Sequence, residues 1–344
     1  MKKNLLLVAM TLLSGFIAKA QESDKTIKEV AVQPKNVKIE ADTAKKHWKF
    51  GGSVAINFGQ VALVNWAGGG QNSISALLGG NGFAHYKKGK VAWDTDLIGS
   101  WGIIAQGKIR DITTNKFPVR KNVDVFQLTS KAGYALDKKN QWFVAGLMDF
   151  RSQFSNGYEY PGDSVKKKIS SFAAPAYLTL SIGINYKPLP FFSLYVSPIA
   201  GKFTFVNPKA GVDETRYGLD KGKVYRAEFG AYLRADLQKD IFKNVNLRTS
   251  LELFQNYLDK KHLDALKTAD QGVNVYYDNR GNTDINWAVL LTFKINKFLQ
   301  ASLETNLIYD QDIAVPKTRA DGTPYNGRGT QFREAFNLGI GYKF

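Results

Sequence analysis

Apolar and polar residues alternate along most of the chain from Trp48 to the last residue, most strictly over 225–238. One set of alternate positions in this segment is almost entirely apolar: Tyr225, Ala227, Phe229, Ala231, Leu233, Ala235 and Leu237. The other set is mostly polar or charged. A period of two residues is typical of a β-strand whose two faces meet different environments. The chain is therefore predicted to be built from such strands.

Twelve segments of this kind follow one another, joined alternately by short and long connections. They are 48–58, 72–86, 91–105, 122–136, 141–154, 174–187, 191–206, 223–239, 244–258, 282–296, 298–310 and 331–344. Soluble strands are typically about 5–6 residues long, whereas a strand that crosses a bilayer needs about 9–11. Outer-membrane barrels join such strands by short periplasmic turns and longer extracellular loops. We therefore predict an all-β fold, a transmembrane antiparallel β-barrel of about 12 strands.

Turn chemistry and one proline give local predictions within this barrel. A two-residue loop at 88–89 would place Phe83 opposite Asp94 in the first hairpin. Pro198 lies inside a predicted strand and has no N–H to donate to a neighbour. Because a closed barrel has no free edge, we expect a bulge or kink at this proline.

The polar faces, which would line the lumen, carry charges of both signs. The lumen candidates are Asp94, Asp96, Lys131, Asp149, Arg151, Arg226, Glu228, Arg234, Asp236, Arg248 and Glu252, joined by Lys294, Glu304 and Arg333. We expect Asp240 to pair with Asn244 across a hairpin. Asp236 would then stand opposite Arg248 and diagonal to Arg234, within reach of charge-assisted hydrogen bonds. Twelve strands lie between eight, which side chains fill, and sixteen to eighteen, which leave an open pore.

The first residues predict export. Lys2 and Lys3 precede an apolar run over 5–13, and Ala18-Lys19-Ala20 forms a small-residue cleavage site. We expect residues 1–20 to be a signal peptide, 21–47 a disordered periplasmic lead-in and 48–344 the outer-membrane barrel. No later stretch approaches the ~18 uninterrupted apolar residues of a membrane-spanning helix.

Composition removes several classes of function. The 344 residues include no cysteine, which excludes disulfide scaffolds, thiolate catalysis and Cys-ligated metals. The net charge of +17 suits either nucleic acid or an anionic membrane surface. Because the chain is predicted to be exported, nucleic acid is not an expected partner, and an anionic lipid surface remains one.

The sequence offers little catalytic chemistry. Its three histidines are His47, His85 and His262, and none belongs to a His-x-Ser pair on a strand that could activate a serine nucleophile. Asp310 with Asp312, and Asp213 with Glu214, lack the spacing of a calcium loop. We therefore predict no enzyme activity, no cofactor and no metal site.

One long connection, 106–121, is strongly basic. Its basic residues, opposed only by Asp111, are Lys108, Arg110, Lys116, Arg120 and Lys121. An outer-leaflet loop meets phosphorylated lipid headgroups before any soluble partner, and each basic residue near such a surface contributes about 1 kcal/mol. The hypothesis is that these residues bind lipopolysaccharide or related anionic lipid; the alternative is a solvated basic loop.

Three segments resemble a known family. They are Asn-Trp-Ala-Gly-Gly-Gly-Gln-Asn-Ser at 65–73, Arg-Lys-Asn-Val-Asp at 120–124 and Gln-Phe-Ser-Asn-Gly-Tyr-Glu-Tyr at 153–160. The chain resembles a Bacteroidota outer-membrane family catalogued as domain of unknown function 3078. The resemblance implies a location in the outer membrane and a barrel, but no activity. We expect the first segment to form either a mobile turn or a lid folded inward. Its motif residues are Asn65, Trp66, Gly68, Gly69, Gly70 and Asn72.

These observations lead to a functional expectation. We expect a monomeric barrel in the outer membrane of a Gram-negative bacterium, with a structural or accessory role and a polar, largely occluded lumen. One alternative is a narrow channel for small polar solutes, and another is an outer-membrane lipid-modifying enzyme. Lipid, a small polar solute and other outer-membrane proteins are the expected partners.

Overall fold

The computed structural model describes residues 47–62, 72–106, 119–162, 165–257, 283–296, 298–310, 313, 315–319, 322–327 and 329–343. The predicted signal peptide lies outside these residues, and so does the predicted lead-in except for His47. Across the described ranges, no helix is long and apolar enough to cross a bilayer.

Sixteen strands are present in the described residues, and twelve of them close into one antiparallel barrel. The strands are β1 (Trp48–Val61), β2 (Ser73–Lys88), β3 (Val91–Gln106), β4 (Val119–Ala135), β5 (Trp142–Ser152), β6 (Gly157–Gly162), β7 (Val165–Ser170), β8 (Ala176–Leu189), β9 (Phe192–Phe205), β10 (Tyr225–Phe242), β11 (Val245–Asn256), β12 (Thr283–Lys294), β13 (Leu299–Tyr309), β14 (Val315–Thr318), β15 (Pro324–Gly327) and β16 (Gln331–Lys343). The barrel order is β1-β16-β13-β12-β11-β10-β9-β8-β5-β4-β3-β2. The predicted fold and its twelve strands are confirmed.

The remaining four strands form two hairpins in the long connections, β6 with β7 and β14 with β15. Two short 3₁₀ helices, Pro208–Ala210 and Glu214–Tyr217, lie in the connection between β9 and β10. The long connections all leave the same end of the barrel, which we call the long-loop end. The opposite end, where the short turns lie, is the turn end.

The two faces of the barrel wall differ as the alternation predicts. Large apolar side chains cover the outside, where Phe50 is 72% exposed, Phe336 69% and Ile182 64%. The inside is packed, with the side chains of Tyr195 and Ser197 fully buried. So much apolar surface facing outward is unfavourable in water, so the outer wall suits a hydrocarbon environment.

The first predicted hairpin register is wrong by two residues. Lys88 pairs with Val91, so that Phe83 stands opposite Asp96 and not opposite Asp94. Gly89 is therefore the first loop residue, and its φ of +56° is the left-handed conformation that this turn position requires. Because a shift of two residues keeps every side chain on its face, the division into lumen and outer wall is unchanged.

The predicted pairing of Asp240 with Asn244 is also wrong. Strand β10 continues past Asp240, which pairs with Asn246 beside an irregularity between Asp240 and Phe242. As a result Asp236 stands opposite Ser250, and Arg248 does not face it directly.

The predicted bulge at Pro198 is confirmed. On the β8 side the register shifts between Ile182 and Ile184, and on the β10 side it shifts between Gly230 and Tyr232. The Ser197 hydroxyl donates to the Ile182 carbonyl at 2.7 Å and stabilises the irregular backbone. The extra residue reverses the alternation of β9 beyond this point.

Candidate lumen site

All eleven lumen candidates lie in barrel strands, at positions whose neighbours face outward, and none is highly exposed. Lys294, Glu304 and Arg333 lie on the same inner face. The structure joins most of these groups into networks at three heights of the lumen.

The central network crosses the lumen. Arg151 on β5 donates from Nη2 to both carboxylate oxygens of Glu252 on β11, at 2.5 and 2.6 Å. Its Nε also lies 2.6 Å from Asp149 Oδ1. In the barrel order, β8, β9 and β10 stand between β5 and β11. The pair therefore connects walls that are not neighbours.

Arg234 extends this network along β10. Its Nη1 donates to Glu252 at 3.0 Å, and its Nε lies 3.0 Å from Asp236 Oδ2. The Ser250 hydroxyl donates to Asp236 at 2.8 Å. The charge-assisted ladder predicted for Asp236 exists, with Arg234 as its partner in place of Arg248. Removing only one member of such a pair strongly destabilises the fold, because the remaining charge stays buried and unpaired.

A second network lies nearer the long-loop end. Lys202 on β9 reaches Asp284 at 2.5 Å, Asp310 at 3.5 Å and Glu228 at 3.6 Å. Arg226 donates to Glu228 at 2.9 Å. Because Asp284 and Asp310 lie on or next to β12 and β13, Lys202 also bridges strands that are not adjacent.

A third contact lies nearer the turn end. Lys187 on β8 donates to Asp94 on β3 at 2.7 Å, across the width of β5 and β4. Lys131 has no carboxylate within 4 Å among the described residues, and its ammonium donates to Ser193 Oγ at 3.2 Å.

Two of these residues, Lys202 and Lys187, are not among the predicted lumen candidates. Straight alternation from Ser197 would place Lys202 outside, and the bulge at Pro198 turns it inward. Lys187 is the last residue of the predicted strand 174–187, on the same face as Ser181 and Asn185, and β8 continues past it to Leu189. The proline was a usable signal for Lys202, and the alternation was one for Lys187.

Arg248 is unlike the other lumen arginines. Its Nη1 is buried without a hydrogen-bond partner, and no carboxylate of the described residues lies within 4 Å of it. Arg333 has Glu304 at 3.9 Å on the neighbouring strand.

A cavity of about 350 Å³ occupies the lumen. It extends from Tyr158 and Glu159 of β6 at the long-loop end to Arg248 and Ser250 on β11. The central network forms part of its wall.

Two of the family-like segments meet at the long-loop end. The buried carboxylate of Asp124 accepts hydrogen bonds from the backbone N–H of Phe154 at 2.7 Å and of Ser155 at 2.9 Å. Lys121 donates to Asp124 at 2.7 Å and to the Ser155 carbonyl at 2.9 Å. The segment after β5 is thereby fixed to the start of β4.

These contacts bear on the predicted lipid-binding residues. The Lys121 ammonium is held inside this cluster, and Arg120 lies over the Tyr160 ring at 4.2 Å. Lys108, Arg110 and Lys116 lie outside the described residues. Their role with anionic lipid stays a prediction.

The glycine-rich segment is mostly outside the described residues, which exclude Asn65, Trp66, Gly68, Gly69 and Gly70. Asn72 is described and directly precedes β2.

The connection between β9 and β10 contacts the β6–β7 hairpin. Arg216 donates to Glu159 at 3.0 Å, and the Tyr217 hydroxyl donates to the Ile169 carbonyl at 2.7 Å. The hairpin and the 3₁₀ helix together cover part of the long-loop end.

Histidine and metal chemistry are sparse in what the structure describes. His85 Nε2 lies 3.4 Å from Asp96, and His47 packs edge-on against Tyr86. Within the described ranges, no group of three or more histidine or carboxylate side chains is placed to hold a metal ion. His262 lies outside those ranges.

A family model described as "Protein of unknown function (DUF3078)" matches residues 58–158. The match includes the segments 65–73 and 120–124 and the start of the segment 153–160. It supports the resemblance that these segments indicate.

The barrel is also similar to solved structures. The translocator domain of autotransporter NalP from Neisseria meningitidis is 7% identical, with a TM-score of 0.37, over 88% of this chain and 90% of that chain. An outer membrane channel from Pseudomonas putida F1 is 11% identical, with a TM-score of 0.37, over 91% of this chain and all of that chain. No curated protein matches the sequence. At this similarity, neither neighbour indicates the role of this chain.

Proposed function

We propose that this protein is a monomeric barrel of the outer membrane of a Gram-negative bacterium, with a structural or accessory role and a lumen that side chains close. The apolar outer wall supports the membrane location, because a hydrocarbon layer is the environment in which such a wall is stable. The antiparallel strands and the single long-loop end support an orientation with the short turns in the periplasm.

The cross-lumen pair of Arg151 with Glu252 carries the proposal of a closed lumen. Its two charges meet from strands separated by three others, at 2.5 Å. Lys202 and Lys187 make similar contacts above and below it. An open aqueous pore requires a continuous path, and these side chains cross that path at three heights.

Conductance in planar bilayers tests this proposal. We expect the wild-type protein to give no single-channel steps. Replacing both members of the central pair, Arg151→Ala with Glu252→Ala, removes the crossing without leaving a lone charge, and we expect steps to appear.

The matched control removes an ion pair that does not cross the lumen, Arg333→Ala with Glu304→Ala on neighbouring strands. This variant should stay silent. Steps in the wild type would overturn the closed lumen, and a silent Arg151/Glu252 variant that is folded would show that this pair does not close it.

The cavity favours a second candidate function, a narrow channel for small polar solutes. It reaches from the long-loop end to Arg248 and is lined by charges of both signs. Wild-type conductance that depends on the charges at Arg234 and Arg248 would support this candidate.

A further inference from the structure

Arg248 lacks the counter-charge that the other lumen arginines have. Arg151, Arg226, Arg234 and Arg333 each have a carboxylate oxygen within 4 Å. Arg248 has none among the described residues, and its Nη1 is buried without a hydrogen-bond partner. A buried donor on a charged group is costly when it is unpaired, so an acceptor brought to it would bind favourably.

The carboxylates that interact electrostatically with Arg248 already have other partners. Asp236 and Asp96 attract its charge from beyond 4 Å, and Arg234 repels it. Asp236 accepts from Arg234 and Ser250, and Asp96 is paired with His85. The guanidinium therefore keeps its donors available.

Arg248 lines the lumen cavity together with apolar side chains. The cavity of about 350 Å³ falls in the size range of small-molecule sites. Tyr232, Phe254 and Leu290 line it, and Leu290 pairs with Arg248 across β11 and β12. Among the cations that line this cavity in the described residues, Arg248 has no carboxylate within 4 Å, whereas Lys121, Arg151, Lys202, Arg216 and Arg234 each have one. An unbalanced cation beside apolar side chains suits a ligand with one anionic group and an apolar body.

We propose that this cavity binds a small organic acid. Its carboxylate accepts two hydrogen bonds from the Arg248 guanidinium, a geometry that the planar fork of arginine favours. Its apolar part packs against Tyr232, Phe254 and Leu290. The site depends on the cavity and not on whether the lumen conducts, so it can fail or succeed separately from the closed-lumen proposal.

Calorimetric titration of the full chain in a non-ionic detergent tests the site, with benzoate as the probe and benzamide as its uncharged isostere. We expect benzoate to bind the wild type. Benzamide should bind at least about tenfold more weakly, which is the loss of affinity expected for one charge-assisted hydrogen bond. Arg248→Gln should lower the affinity for benzoate by a similar factor.

Lys294→Gln is the matched control, because Lys294 is a lumen-facing cation that does not line the cavity. This variant should bind benzoate as the wild type does. Arg248→Lys keeps the positive charge but loses the planar guanidinium, and should bind benzoate with an intermediate affinity. This variant tests the site even if Arg248→Gln fails to fold.

Several results would overturn the proposal. They are absence of benzoate binding by the wild type at millimolar concentration, equal affinity for benzamide, or unchanged affinity in folded Arg248→Gln. Inorganic phosphate that displaces benzoate at equal concentration would indicate a general anion site and contradict the assignment to organic acids.

Discussion

Adjacent residues in a single strand of this protein meet opposite environments. On β11, Ser250 donates to Asp236 and Glu252 binds Arg151, so both side chains lie in the lumen. Leu251, between them, lies on the outer face. The same substitution therefore has different consequences at neighbouring positions, and this difference can be measured.

Alanine-to-arginine substitutions on the two faces make a matched comparison. Ala235 on β10 lies on the outer face, and Ala288 on β12 lines the cavity. We expect Ala235→Arg to lower the free energy of unfolding by about 2–4 kcal/mol, because its charge faces hydrocarbon. Ala288→Arg should cost clearly less. Reversible denaturant unfolding in lipid vesicles measures both, and equal losses would contradict the assignment of faces.

At the scale of elements, the sequence predicts the twelve barrel strands but not the details of their connections. Strict alternation identifies long strands with unlike faces. The β6–β7 and β14–β15 hairpins were missed because their strands are six and four residues long and show no comparable period. Both hairpin registers were wrong by two residues, because the exact loop position depends on local φ values and strand length.

The lumen site was predictable to the same degree. Strand parity places Arg151 and Glu252 inside, but it says nothing of which side chains meet across the lumen. That depends on barrel closure and stagger. Lys202 was missed because a one-residue bulge at Pro198 reverses which face the following residues of β9 occupy. The bulge was predicted, but this reversal was not applied to the residues after it.

The contacts of Asp124 with Lys121, Phe154 and Ser155, which we call the Asp124 cluster, should hold the segment after β5 in place. Asp124→Ala removes a buried acceptor of two backbone N–H groups, so the amides of Phe154 and Ser155 should exchange with solvent about tenfold faster or more, as expected for lost bonds to a charged group. Hydrogen exchange with mass spectrometry measures this. Amide exchange in β11 and β12 should be unchanged, and unaltered exchange at 154–155 would contradict the role of Asp124.

The turn between β4 and β5 should weaken in acid. The Asp137 carboxylate accepts hydrogen bonds from the backbone N–H of Trp142, Gln141 and Lys139, and these bonds lower the pKa of Asp137 below its usual 3.8. Since the folded-state pKa is the lower one, the turn is stabilised above pH 3.8 and loses this stabilisation as the pH falls through the folded-state value. The protection of the turn amides, measured as their exchange rate relative to the intrinsic rate at each pH, should show this loss. Asp137→Asn should remove the dependence, and a turn with no pH dependence in the wild type would contradict it.

At the scale of the whole molecule, an apolar outer wall surrounds a core of mostly paired charges and a cavity. This inverts the usual arrangement of a soluble domain, in which apolar groups are inside. The long-loop end carries the β6–β7 hairpin and the Asp124 cluster, whereas the turn end has short connections. The two ends of the barrel therefore differ in the length and the packing of their connections.

Anionic lipid is the predicted partner of the long-loop end. Replacing Lys108, Arg110 and Lys116 with Gln should reduce the lipopolysaccharide that co-purifies with the protein, and the wild-type level should fall with rising salt. Charge-matched replacement of Lys90, Lys138 and Lys139 at the turn end with Gln should leave it unchanged. Equal retention by all variants would show that the basic loop is simply solvated.

The central claim, a membrane barrel with a closed lumen, is tested most directly by single-cysteine labelling, since the natural chain has no cysteine to interfere. Ser250→Cys faces the cavity and Leu251→Cys faces outward. With the protein inserted in vesicles in one orientation, a membrane-impermeant maleimide should label Ser250→Cys from one side at most and should not label Leu251→Cys from either side. Labelling of Ser250→Cys from both sides would show an open pore, and labelling of Leu251→Cys would show that the outer wall does not face lipid.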